Sequence, residues 1–176
     1  MRERTSEIAA FLAAMYESYG ILNRICWQGT LPPSLLRMSH RLSRHTGAYA
    51  QDRGGGEYRI VFNAVHCRRL DDSAFLQIMA HEMIHIWQYS SGRRGGHGRD
   101  FRKEALRLGV EQVRGSVISP TSPMGYVFFM HDLKNLHPAE AARQVAAYSD
   151  HRRFEIEFYQ AAQRYFSSPR AARGGV

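Results

Sequence analysis

Residues Phe75–Trp87 have the sequence FLQIMAHEMIHIW, and this apolar stretch predicts a buried helix that organises the rest of the chain. On such a helix His81 and His85 project from one face about a turn apart, close enough for both imidazoles to bind one zinc ion. Glu82 is then placed to take a proton from a water molecule on the metal. A buried glutamate beside two histidines is costly unless the three share a ligand, which favours a zinc site over two ordinary core histidines.

The composition is that of one globular domain with an excess of positive charge. The 176 residues are 44% hydrophobic and 23% charged, which is enough for a single core. Lys and Arg number 24 against 16 Asp and Glu, and the resulting net charge of +8 suits contacts with phosphate groups. A basic surface without any nucleic-acid role is the alternative.

The cysteines and the N-terminal segment predict a cytoplasmic protein, associated with the nucleoid in a bacterium. Cys26 and Cys67 do not make a disulfide framework, and there is no CxxC pair, which indicates a reducing compartment. Glu3 and Glu7 precede only a short apolar run, which argues against a signal peptide. No stretch approaches about 18 continuous apolar residues, so no membrane partner is expected.

Before the apolar stretch, the sequence predicts one helix and a small antiparallel sheet. Over residues 5–25, apolar side chains recur at three- and four-residue steps, as in an amphipathic helix. Residues 35–50 contain a less regular strand that leads to a turn at Gly47. Three consecutive glycines at 54–56 predict a hairpin tip or flexible loop, and Tyr58–Val65 is rich in β-forming residues.

After the apolar stretch, helices are expected to dominate. The main helix should start at Asp71-Asp72-Ser73 and run to about Tyr89. Asp100 is a candidate cap for the next helix, which Gly109 ends. The last predicted elements are a strand at Tyr126–Met130 and a helical region from Pro138 through Tyr165, bent near Ser149-Asp150.

Together these elements predict an α+β fold built as one core with an appendage. Residues 1–136 are expected to form the core, and residues 137–166 a helical extension packed on or beside it. Residues 167–176 are polar and basic, and a disordered tail is expected there.

A catalytic zinc site needs a third protein ligand, and two residues are candidates. His97 lies in a glycine-flanked turn that lets the backbone bring its imidazole to the metal, and it is favoured. Glu104, on the following helix, is the alternative, although a helical glutamate more often pairs with an arginine such as Arg107 or Arg102. A purely structural zinc site is less favoured, because such sites are usually closed by four residues and rich in cysteine.

The chain resembles the SprT-like zinc metalloproteases, the group that includes Spartan, which degrades proteins crosslinked to DNA. The similarity is collinear over about residues 20–108, and its most specific part is HEMIH followed by the HGxxF element. The segments that carry it are Leu22-Asn23-Arg24-Ile25, Gly29-Thr30-Leu31-Pro32, Ser39-His40-Arg41-Leu42, Gly47-Ala48-Tyr49, Arg59-Ile60-Val61-Phe62-Asn63, His81-Glu82-Met83-Ile84-His85-Ile86-Trp87-Gln88 and His97-Gly98-Arg99-Asp100-Phe101.

This resemblance implies a zincin-like metalloprotease core that hydrolyses peptide bonds in proteins bound or crosslinked to DNA. It makes His81, His85 and His97 the ligands of one zinc ion and Glu82 the catalytic residue. Two departures are the absence of the Cys-rich zinc ribbon found in many members and a C-terminal helical region that matches nothing in the family pattern.

Residues with further roles are predicted around this site. Tyr126 and His131 flank the aromatic segment and are candidate donors to the oxyanion, although core packing is the commoner role for such a tyrosine. Basic side chains near the cleft are candidate contacts for single-stranded or junction-like DNA. These are Arg41, Arg44, Arg93, Arg94 and Arg99.

Two other functions stay open. One is a DNA-binding or scaffold protein that holds a structural zinc ion and has no protease activity. The other is a protease for a dedicated partner unrelated to DNA, such as a repressor or toxin.

Overall fold

The chain folds into helices packed around a small three-stranded sheet, an α+β architecture. The computed structural model describes residues 2–43, 46–67, 69–110, 122–129 and 151–166. In chain order the elements are α1 (Arg2–Trp27), β1 (Ser34–Ser39), β2 (Ala48–Asp52), β3 (Tyr58–Asn63), α2 (Ala64–Cys67), α3 (Asp72–Ser90), α4 (Arg99–Leu108), α5 (Pro123–Phe129) and α6 (His151–Phe166).

The sheet is mixed, so the expectation of an antiparallel sheet was wrong for one of its strands. The order is β1-β3-β2, with β2 antiparallel and β1 parallel to the central β3. The tip at Gly54–Gly56, where all three glycines have positive φ, closes the β2–β3 hairpin. β1 pairs with the far side of β3 and runs parallel to it, because β2 intervenes along the chain as the crossover.

Polar side chains fix the connections that lead into and out of the sheet. The Asn23 side chain on α1 forms two hydrogen bonds with the backbone of Leu31: its NH₂ group donates to the Leu31 carbonyl (3.1 Å), and its carbonyl oxygen accepts from the Leu31 N–H (3.0 Å). At the end of β3, the buried Asn63 amide donates to the carbonyls of Ser43 (3.0 Å) and Thr46 (2.8 Å). These bonds satisfy backbone groups in both connections and hold the strands in register.

One hydrophobic core joins these elements, and α3 runs through it. The Asp71 side chain caps this helix by accepting from the Ala74 N–H at 2.7 Å, as the acidic start predicted. Eight of the largest buried core side chains are Phe11, Met15, Leu22, Leu36, Ile60, Phe62, Phe75 and Phe101.

The predicted strand at Tyr126–Met130 was wrong, because residues Pro123–Phe129 form the helix α5. Met124 and Val127 are fully buried and three positions apart, so one helical face packs against α1 and α4. Burial of this face overrides the β-preference of the aromatic sequence.

The N-cap of helix α4 lies two residues before the predicted one, so the prediction of Asp100 as the cap was wrong. Gly98 is the N-cap and Asp100 lies in the first turn, where its carboxylate faces the positive end of the helix dipole. Gly109 ends α4 in the left-handed conformation, with φ of 77°, as predicted.

The C-terminal helix α6 packs against β1 and α1. Phe158 is buried with its ring centroid 5.8 Å from that of Phe11, and Arg37 on β1 lies 4.7 Å over the Tyr159 ring. The predicted helix before residue 151, its bend at Ser149-Asp150 and the tail at 167–176 lie outside the described residues. None of the helices in the described ranges is both long enough and apolar enough to cross a membrane.

Candidate metal centre

Three histidine side chains converge between α3 and the loop that follows it. His81 and His85 stand one turn apart on α3, and His97 lies in the loop that precedes α4. Candidate ligand atoms of the three rings all lie within 4.8 Å of one another, and the Nε2 atoms of His81 and His97 are 2.9 Å apart. The structure therefore brings together the three histidines that the sequence singled out.

The buried ring of Phe101 packs under this cluster. Its centroid lies 4.8 Å from the rings of both His81 and His85 and 4.6 Å from that of His97. Phe101 sits in the first turn of α4, so its burial fixes the end of the loop that carries His97.

The three histidines are better suited to binding a metal ion than to being protonated. Burial, together with the neighbouring His85 and His97 as positive charges, lowers the pKa of His81 to about 4. The pKa of His85 is also lowered, mainly by burial. Neutral imidazoles present the lone pairs that metals bind.

The spacing of these rings is also compatible with zinc. Four-coordinate zinc with bonds of 2.0–2.1 Å sets its nitrogen ligands about 3.3 Å apart. The described separations, from 2.9 Å to within 4.8 Å, bracket that value. Three imidazoles whose candidate ligand atoms lie this close together fit one zinc ion.

Glu82 lies beside the cluster with only 5% of its surface exposed. Burial raises the pKa of its carboxyl to about 7, while the backbone N–H of Ala50, which donates to it, acts in the opposite direction. Ala50 belongs to β2, so the edge of the sheet supplies this hydrogen bond. A carboxyl with a pKa near neutrality has the character of a general base.

Gln88, one turn after His85 on α3, links the helix to the histidine-bearing loop. Its Oε1 lies 2.8 Å from His85 Nδ1, and its Nε2 donates to the carbonyls of Arg94 (3.2 Å) and Gly96 (3.0 Å). Sequence reasoning missed this residue, although its three-residue spacing from His85 places both on one helix face.

Glu104, the alternative third ligand, is engaged elsewhere. Its carboxylate accepts from Trp27 Nε1 at 2.9 Å and from Arg107 at 2.9 Å (Nε) and 2.6 Å (Nη2). Arg107 also donates to the Cys26 carbonyl at 2.9 Å, which ties α4 to the end of α1. The geometry thus assigns Glu104 to the support of the fold and leaves His97 as the third histidine of the cluster.

A family model described as the SprT-like family matches residues 15–122, well over half of the chain. The chain belongs to the SprT-like family. The resemblance drawn from sequence motifs is confirmed, and the matched segment contains Glu82 and all three histidines. Members of this family are associated with metallopeptidase activity. No match was found among curated proteins or among solved structures.

The arginines near the site differ in how strongly they are held in this SprT-like chain. Arg93 stacks 4.6 Å over the Trp87 ring and pairs with Asp100 at 3.3 Å. Arg94 and Arg99 are exposed on either side of His97, and Arg41 is exposed after β1. Arg44 lies outside the described residues.

The two candidate oxyanion donors gain no support from the structure of this SprT-like chain. Tyr126 belongs to α5, whose described contacts are with α1 and α4, and His131 lies outside the described residues. The Ala50 N–H that contacts Glu82 was also missed, and no sequence signal points to a backbone donor.

Proposed function

We propose that the protein is a zinc-dependent metalloendopeptidase with a zincin-like core. His81, His85 and His97 would hold one zinc ion and leave a coordination position open, as catalytic zinc sites do. The observation that carries this proposal is the buried carboxylate of Glu82 next to three converging imidazoles. A structural zinc site has no use for that carboxylate, which disfavours the idle scaffold.

Zinc, when bound, would supply Lewis acidity to the scissile carbonyl and to the attacking water. The chain's own contribution is proton transfer. Glu82 takes the proton of the water during attack and returns it to the leaving amine. The Ala50 N–H donates to this carboxyl and so ties it to the edge strand β2.

Substitution of Glu82 tests this proposal. Glu82→Gln keeps the size of the side chain and an acceptor for the Ala50 N–H but removes the base. The variant should bind one zinc per chain, measured by elemental analysis, and should lose cleavage of an unfolded protein substrate. Cleavage at the wild-type rate by the zinc-loaded variant would contradict the mechanism, and failure of wild-type protein to bind zinc would contradict the site.

We further propose that its substrates are proteins bound or crosslinked to DNA in the cytoplasm. The net charge of +8 and the exposed Arg94 and Arg99 beside His97 support this proposal. Binding to single-stranded DNA should weaken steeply between about 50 and 200 mM salt, since each released counterion contributes to the slope. Arg94→Ala with Arg99→Ala should reduce the slope, while a protease that ignores DNA would show no binding even at low salt.

A further inference from the structure

We propose that Gln88 is the positioning residue of the metal centre: it sets the tautomer of His85 and anchors the loop that presents His97. This inference rests on the proposed function, because it assigns a role toward the zinc ion. Gln88 is 1% exposed, and both ends of its amide are used. A single side chain therefore acts on two of the three metal ligands.

The hydrogen-bond pattern fixes the direction of the amide. Its nitrogen faces the carbonyl oxygens of Arg94 and Gly96, which can only accept, so this end must be the NH₂ group. Its oxygen must then face His85, and the atom 2.8 Å away, Nδ1, must carry a proton to donate. His85 is thereby held with a lone pair on Nε2, the nitrogen left for the metal.

At its start the loop is held by Arg93, which stacks on Trp87 and pairs with Asp100. Nearer to His97, the side-chain bonds to the loop backbone come from Gln88. Residues 91–98 are all exposed and contain four glycines, so an unrestrained loop would populate many conformations. The Gln88 backbone carbonyl also accepts from the Arg93 N–H at 2.8 Å, at the start of the loop. With its side-chain bonds to Arg94 and Gly96, Gln88 contacts the loop up to the residue before His97. This ordering lowers the entropic cost of bringing His97 to a metal.

Two substitutions separate the two roles. In Gln88→Glu the new carboxylate still accepts from His85 Nδ1, but it cannot donate to the loop carbonyls. In Gln88→Leu both interactions are lost while the side chain stays similar in volume. Gln88→Glu should therefore lose only the hydrogen bonds to the loop. Gln88→Leu should lose these bonds and also the interaction that fixes the tautomer of His85.

The first measurement uses metal-free protein, so it does not depend on proteolysis. Nitrogen-15 NMR of the imidazoles should show His85 protonated at Nδ1 in the wild type and in Gln88→Glu, but not uniformly so in Gln88→Leu. Amide exchange at Gly96 and His97 should be faster in both variants. A wild-type tautomer in Gln88→Leu, or wild-type loop exchange in Gln88→Glu, would overturn the assignment.

The second measurement is zinc affinity by competition with a chelator. Gln88→Leu should bind zinc about 10–100-fold more weakly, the range found when partners of metal ligands are removed. In a His97→Ala background the same substitution should cost less, because the loop then carries no ligand. Equal costs in both backgrounds would refute the loop role. If wild-type protein binds zinc but cleaves nothing, the proposed protease fails while these results stand.

Discussion

Two buried glutamates, Glu82 on α3 and Glu104 on α4, have almost the same exposure and opposite surroundings. Glu82 is 5% exposed and Glu104 is 8% exposed. The Glu104 carboxylate receives hydrogen bonds from Trp27 and Arg107. Glu82 receives one backbone N–H, from Ala50, and no Lys or Arg among the described residues forms an ion pair with it.

This is the difference expected between a carboxylate that supports the fold and one that acts as the proposed general base. A buried carboxylate that is paired with a cation and hydrogen-bonded is poorly placed to accept a proton from a substrate or water, because its oxygen lone pairs already accept hydrogen bonds. A buried carboxylate without a cation is destabilised, and its pKa moves toward the range where it can exchange protons. Because the two glutamates are buried to the same degree, the hydrogen-bond donors around each one, rather than burial, favour Glu82 over Glu104 as the proposed base.

The largest expected effect is on proteolysis. Glu82→Gln should lower the cleavage rate of zinc-loaded protein on the order of 10³-fold, as expected for the loss of a general base. Glu104→Gln is the matched control and should cleave at close to the wild-type rate per folded molecule. If Glu104→Gln remains folded and holds zinc but is as inactive as Glu82→Gln, the proposed division of roles between the two glutamates is wrong.

The next effect is on folding. Glu104→Gln should lower the free energy of unfolding by about 3 kcal/mol, since Trp27 and Arg107 lose a charged partner. Arg107 is half exposed, so the loss should stay below that of a fully buried pair. Urea denaturation measures it, and Arg107→Met with Glu104→Gln should cost less than the sum of the single changes.

Glu82→Gln should have an effect on stability that depends on pH. The pKa of Glu82 is raised from 4.5 to about 7 in the folded state. Below pH 4.5 the carboxyl is protonated in both states and its burial does not reduce stability, whereas above pH 7 the folded protein bears the full free-energy cost of burying the ionised form. The free energy of unfolding of the metal-free wild type should therefore fall by about 3 kcal/mol relative to that of Glu82→Gln as pH rises through this window. Denaturation curves at pH values on either side of this window provide the test. A constant difference between the two proteins would show that the carboxyl is not perturbed by folding.

The smallest expected effect is the loss of stability on removing the hydrogen bond from the Trp27 indole to Glu104. Trp27→Phe removes one donor from Glu104 and leaves Arg107 in place, so it should cost about 1–2 kcal/mol. Thermal unfolding with zinc bound would measure the loss. Cleavage by the folded variant should be unchanged, because Trp27 contacts Glu104 rather than Glu82.

The histidine cluster could be predicted from sequence because it depends on local geometry. Two of its members are set by the helical repeat of α3, and the glycines around His97 allow the loop to turn back. The acidic start of α3 and the glycine end of α4 also follow from local backbone chemistry.

What the sequence could not supply depends on contacts between distant segments. β1 pairs in parallel with β3. The alternation of apolar residues shows which face of a strand is buried, but not which strand it pairs with or in which direction. The residues of α5 prefer strands intrinsically and are helical because Met124 and Val127 fill a gap beside α1 and α4. The Glu104 pairing with Trp27 is likewise invisible in the chain, although the pairing with Arg107 was foreseen as a helical neighbour.

Sequence separation divides the site from its support, and this has a consequence for how the molecule folds. His81 and His97 are 16 positions apart, whereas Trp27 is 77 from Glu104 and Cys26 is 81 from Arg107. Closing the short loop costs less chain entropy than closing the long ones, and local contacts form early on folding pathways more readily than distant ones. The histidines can thus approach one another while the α1–α4 contact is still open. We therefore expect the hydrogen bond from the Trp27 indole to Glu104 to form late in folding, so that resistance of the nascent chain to degradation follows closure of the α1–α4 contact rather than the arrival of metal.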